Sequence, residues 1–170
     1  MEHSVWVDQL LDRVCEIGEE GQAAMQYIRK YKTRIGFKKV RPNVGAFWTL
    51  FGSIHLNSEY YSYDTSLDDV RIRTLIIHEV RHLQQGLPTA LSVYGELDAW
   101  QLEFGIYHRI KGKYPSPVIA ELMTLPLEYD RDVMRKAVSL MQAYAGKGYR
   151  ANLLPLFPWG REIKYWILRK

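Results

Sequence analysis

The chain has 170 residues, 47% hydrophobic and 25% charged, with a net charge of +4, which suits one folded domain over residues 1–170 with a single core. No apolar run reaches the roughly 18 residues needed to cross a bilayer, and residues 1–12 lack the pattern of a signal peptide. The one cysteine, Cys15, rules out an internal disulfide and a cysteine-built zinc site, and the expected location is the cytoplasm.

Ser4 is placed to cap a first helix. Val7, Leu10, Leu11, Val14, Ile17, Met25 and Ile28 then recur at helical spacing, which predicts one helix to about Lys32, weakened in its middle by Gly18 and Gly21. A basic run follows, with Arg29, Lys30, Lys32, Arg34, Lys38, Lys39 and Arg41 uninterrupted by an acid. It reads as a helix end and a solvated strand face rather than a nucleic-acid patch. Residues 35–41, 46–51 and 53–57 read as three short strands. Residues 42–45 are a plausible hairpin turn between the first two, and Gly52 marks a turn or bulge. Residues 57–66, rich in Tyr and Ser, read as loop.

From about Leu67 the pattern is helical again. Val70, Ile72, Leu75, Ile76, Val80 and Leu83 form an apolar stripe that stops at Gly86 and Pro88. The next helix runs from Thr89 or Ser92 to Lys111, ended by Gly112 and Pro115. Further helices are predicted over residues 116–123 and 129–145. The apolar tail from Asn152 is broken by Pro155 and Pro158, with Trp159 and Trp166 expected to pack on the body. The fold class is therefore α+β, a small mixed sheet flanked by helices and followed by a mostly helical C-terminal half.

The sharpest signal is His78-Glu79-Val80-Arg81-His82. Residues four apart stack on one helix face, so His78 and His82 can aim their imidazoles at one metal ion. Glu79 is about 100° further round the helix, beside such a metal rather than on it, where a carboxylate can take a proton from water as a general base. Zinc suits these ligand types, and it lowers the pKa of a bound water towards neutrality. A catalytic zinc needs a third protein ligand. Glu96 is the first candidate, on the helix that returns after the Gly86–Pro88 turn; Asp98, Glu103 and His108 lie on the same helix.

The histidine motif followed by Glu96-Leu97-Asp98-Ala99 resembles the gluzincin branch of the zincin metallopeptidases. The resemblance covers about residues 70–103. It implies a small zincin-like domain in which His78, His82 and Glu96 hold one zinc ion, Glu79 is the general base, and a peptide or protein is hydrolysed. Trp100 departs from the pattern, because some members carry there an Asp that supports a ligand histidine. That supporting role then falls to Asp98 or a backbone carbonyl. The resemblance also implies that residues 53–57 form the edge strand that holds an extended peptide, by backbone pairing.

Tyr60, Tyr61, Tyr94 and His55 are candidate donors to a transition-state oxyanion, although packing is the commoner role of each. Arg81 is expected to be solvated rather than to orient a carboxylate. Gln84 and Gln85 read equally well as site donors or as a polar helix end, and Cys15 as an inert apolar-face residue. Two other classes compete with the peptidase: a zinc-binding module without turnover, and a basic nucleic-acid-associated protein.

Overall fold

The computed structural model describes residues 3–146 and 148–168. It is a mixed α+β fold: α1 (His3–Cys15), α2 (Glu19–Tyr31), β1 (Arg34–Lys38), β2 (Ala46–Trp48), β3 (Ser53–Asn57), α3 (Val70–Gln85), α4 (Leu87–Ala90), α5 (Val93–Lys111), α6 (Pro117–Leu122), α7 (Arg131–Ala145), a 3-10 turn (Ala151–Leu153) and α8 (Trp159–Leu168). No described helix is long and apolar enough to cross a membrane.

The single N-terminal helix expected from periodicity is two helices. The chain breaks at Gly18, whose φ of 120° is open to glycine and strained for other residues. α2 then packs on α1 so closely that a Cβ on Gly21 would collide with the Val14 carbonyl. The apolar spacing carries across the break because both helices turn the same kind of face to one core.

The strand order is β1-β3-β2. β1 runs parallel to β3, with Ile35 opposite Ile54, and β2 runs antiparallel to β3, with Phe47 opposite His55. Residues 42–45 therefore do not form a hairpin turn between paired strands. The hairpin joins β2 to β3, closed by Gly52 N–H on the Thr49 carbonyl at 3.0 Å. β3 is the central strand, with both edges paired, so it is not the edge strand that the resemblance implies. The edges of the sheet are β1 and β2. Loop residues reveal where a chain can turn, whereas strand partners are chosen by packing of distant segments.

Ile54 and Leu56 point from β3 into a core shared with Trp6, Leu10, Ile28, Ile72 and Ile76. Each such side chain contributes about 1.5–3 kcal/mol through burial. A second apolar cluster joins Val93, Leu97, Ile119, Leu122, Met134 and Met141 from α5, α6 and α7. α3 and α5 lie side by side where the two clusters meet. Both start on side-chain caps: Asp69 accepts from the Arg71 N–H at 2.9 Å, and Ser92 from the Gly95 N–H at 3.1 Å.

The tail departs from expectation. Trp159 and Trp166 are 60% and 70% exposed and do not pack on the body. α8 docks by its polar side instead. Glu162 pairs with Arg131 at 3.0 Å, Arg131 lies over the Tyr165 ring, and Arg161 lies over the Tyr129 ring. In the basic run, Arg29 and Lys30 occupy the last turn of α2, and Lys39 pairs with Glu59 on the surface.

Candidate metal centre

α3 buries an unusual set of side chains. His78, Glu79 and His82 are 6%, 3% and 2% exposed. Buried polar groups cost free energy unless each has a partner, so their partners decide what the cluster can do.

The Nε2 atoms of His78 and His82 approach to 3.1 Å, and Glu96 Oε1 is 3.6 Å from His82 Nε2. One ligand atom from each of these three residues lies within 4.8 Å of the others, a group that could hold a metal ion. Glu96 is brought there by the helix return. α4 makes a one-turn step, Ser92 restarts the helix, and Gly95 passes so close to the Thr89 carbonyl that a Cβ would collide with it.

The opposite side of each candidate ligand is held. His78 Nδ1 lies 2.9 Å from Glu103 Oε2, although the N–H does not point straight at that oxygen. His82 Nδ1 lies 3.2 Å from Gln85 Oε1. The Gln85 amide is itself fixed, donating to the Gly95 carbonyl at 2.9 Å and to Asp98 Oδ2 at 2.6 Å, so its oxygen must face His82. The Glu96 Oε2 atom accepts from the Tyr149 hydroxyl, and that hydroxyl accepts from Trp100 Nε1 at 2.9 Å. Every candidate ligand is thus oriented from behind, the arrangement that sets tautomer and geometry at metal sites.

Several expectations change here. Asp98 does not touch a histidine; it holds Gln85, which does. Glu103, weighed as a ligand, instead backs His78. Trp100, which replaces an Asp of the resembled pattern, supports Tyr149 and through it Glu96. Arg81 is not merely solvated, because its Nε and Nη2 grip Asp98 at 2.7 and 3.2 Å. His108 stacks on Tyr114 and is not in the group. Of the proposed oxyanion donors, only Tyr61 lines the cavity beside the cluster. Tyr60 donates to the Pro42 carbonyl, Tyr94 stacks on Tyr129, and His55 stacks on Phe47 and contacts Ser53. Tyr149 was not singled out from sequence. It follows α7 in an irregular segment with no periodicity to mark it.

The charges are strongly coupled. Burial pulls His78 down, but Glu103, Glu79 and Glu96 outweigh it and raise it to about 9. Burial lowers His82 to about 4 despite the nearby Glu96. Without a metal ion the imidazole pair therefore carries a single positive charge near neutrality, on His78, whose Nε2–H donates to His82 Nε2. Burial raises Glu79 to about 7, against the pull of His78 and with Glu96 and Glu103 adding to the rise; a hydrogen bond from the Trp48 backbone N–H opposes it. Burial and the Glu96 carboxylate push the Tyr149 hydroxyl well above its ordinary value, so it stays a donor.

A cavity of about 380 Å³ opens onto the cluster, lined by β2, the inner faces of α3 and α5, and Tyr149. On β2, Gly45 and Thr49 bond towards β3, through Asn57 N–H to the Gly45 carbonyl and Thr49 N–H to the Ser53 carbonyl, both at 2.8 Å. Alternation then turns the backbone groups of Ala46 and Trp48 to the cavity.

No family model, curated protein or solved structure matches the chain.

Proposed function

We propose that the chain is a zinc-dependent metallopeptidase of the gluzincin type, with His78, His82 and Glu96 as ligands and Glu79 as general base. The observation that carries this reading is the convergence of two imidazole Nε2 atoms at 3.1 Å, with Gln85 Oε1 hydrogen-bonded at His82 Nδ1 and the Glu103 carboxylate 2.9 Å from His78 Nδ1. Tetrahedral zinc with bonds of about 2.0–2.1 Å needs ligand nitrogens about 3.3 Å apart, close to the spacing present. The donor set of two imidazoles and one carboxylate suits zinc by ligand type.

Zinc, when bound, supplies a Lewis acid that polarises a carbonyl and makes water a usable nucleophile at neutral pH. The chain's residues do the rest. The Ala46 backbone groups and the Trp48 carbonyl face away from β3 along the β2 edge, where they can hold an extended peptide, while the Trp48 N–H is taken by Glu79. Glu79, beside them and buried, takes the proton from the attacking water and returns it to the leaving amine. The open cavity beside Glu79 favours turnover over a zinc-binding module that only binds.

The test is Glu79→Gln in zinc-reconstituted protein, assayed on a mixture of unstructured peptides. Zinc should stay bound at one equivalent while hydrolysis falls by about 10²–10⁴-fold. Cleavage that survives the substitution would show that Glu79 is not the base.

A further inference from the structure

The cavity extends well beyond the imidazole pair, and its far end has a different chemistry. Arg71, Leu75, His78 and His82 succeed one another at four, three and four residues along α3, and all four line the cavity. Arg71 is two turns before His78. It lies in the first turn of α3, where the helix dipole disfavours a cation. Arg41 lines the same cavity from the loop before β2. Neither arginine makes an ion pair among the described residues. Arg71 is close enough to the Tyr61 and Tyr144 hydroxyls to oppose the rise that burial and the Glu103 carboxylate give them. Both phenols line the cavity, and neither hydroxyl has a hydrogen-bond partner among the described residues.

The directions of the elements fix where this end lies on a bound chain. A Cβ built on Gly45 would sit 3.1 Å from Leu75, whereas the Trp48 ring lies near His82, tilted by 30° with ring centroids 6.0 Å apart. β2 and α3 therefore run the same way, and Arg41 and Arg71 share the end where β2 begins. A peptide lying antiparallel to β2 would run its C-terminal side towards them. Seven residues of helix span about 10.5 Å, or about three residues of extended chain.

We infer that Arg71, with Arg41, Tyr61 and Tyr144, forms a subsite for a carboxylate carried two to three residues beyond the cleaved bond on its C-terminal side. Guanidinium groups bind carboxylates bidentately, and phenol hydroxyls add donors. The carboxylate is either the chain terminus or an acidic side chain. This assignment rests on the peptidase reading for its register, but the subsite is tested by binding alone.

The experiment uses full-length, zinc-loaded Glu79→Gln protein and alanine-rich octapeptides carrying a single Glu or Gln at each position, with a free or amidated C-terminus. Binding is read by calorimetry. Peptides with a carboxylate in register should bind at least tenfold more tightly than their Gln or amide counterparts. The free-terminus arm and the Glu arm distinguish the two sources of the carboxylate. Arg71→Gln should reduce the preference to less than twofold, Arg71→Lys should keep part of it, and Arg71→Glu should reverse it. Equal binding of acid and amide forms, a preference that Arg71→Gln leaves intact, or no binding at all overturns the subsite. The same peptides are offered to zinc-loaded wild type. A binding preference without any cleavage sinks the hydrolase reading and leaves the subsite, whereas cleavage indifferent to charge does the opposite.

Discussion

α3 and α8 invert the ordinary helix in opposite ways. α3 hides a histidine pair and a glutamate, whereas α8 leaves Trp159, Ile163, Trp166 and Ile167, all on one stripe, more than half exposed. The difference lies in what the neighbours offer. On α3 each buried polar side chain meets a matched group: Glu103, Gln85 or the Trp48 N–H. The apolar stripe of α8 meets nothing comparable, and a single ion pair with stacked arginines holds its polar side to the body. An apolar stripe shows which face a helix could bury, and the opposing surface determines whether it does. A buried polar face in which each side chain lies against a polar or charged group is expensive to assemble and points to a role beyond folding.

The contrast predicts that changes on α3 alter metal chemistry and changes on α8 alter little. The largest expected effect is on pH dependence. His78 carries its proton up to about pH 9 in metal-free protein, and a ligand imidazole must lose that proton. Zinc affinity, measured by chelator competition, should therefore rise about 50-fold between pH 7 and pH 9, where His78 is half deprotonated, and about twofold more before it levels off above. An affinity flat across that range would mean that His78 is not a ligand. The same raised pKa stabilises the metal-free fold below about pH 6.5, and that contribution disappears as pH rises through 9.

Glu103→Ala removes the group behind His78. At pH 9.5, where the proton no longer competes, zinc affinity should fall about 10–100-fold. The rise between pH 7 and 9 should also flatten, because the His78 pKa drops with its main anionic partner gone. Gln85→Ala releases His82 and frees Asp98 from one of its partners. A loss of about tenfold at the same pH is expected, with Asp98 still gripped by Arg81. An unchanged affinity in both variants would break the claim that orientation from behind matters here.

These positions also mark the limit of what the sequence reveals. His78, Glu79 and His82 are legible because a helix fixes their relation over four residues. Glu96 is legible because Gly86, Pro88 and Ser92 announce a turn and a new cap. Gln85 is legible only as one of two equal readings and Glu103 only as a rival ligand, whereas Tyr149 is not legible at all, because the contacts of Glu103 and Tyr149 depend on how α5 and the segment after α7 lie on α3, the Tyr149–Glu96 bond spanning 53 residues. The strand order fails for the same reason: residues 42–45 look like a turn, but β3 takes β1 and β2 on its two sides. On α8, hydropathy alone predicts that Trp159 and Trp166 pack on the body, but it carries no information about the surface opposite.

The smallest effect belongs to α8. Trp166→Lys, at a side chain 70% exposed, should change unfolding free energy by no more than about 0.5 kcal/mol and leave zinc affinity within twofold. A destabilisation well above that in urea would mean that the stripe is covered by something on the body.

The central claim is that α3 and α5 aim three ligand atoms at one cation. Diffraction from crystals grown with excess zinc, recorded at the zinc absorption edge, tests it directly. The account predicts one anomalous peak per chain, about 2.0–2.1 Å from Nε2 of both His78 and His82 and about 2.0–2.2 Å from a Glu96 carboxylate oxygen. A map with no peak between the two rings, or with zinc bound only elsewhere on the surface, would contradict it.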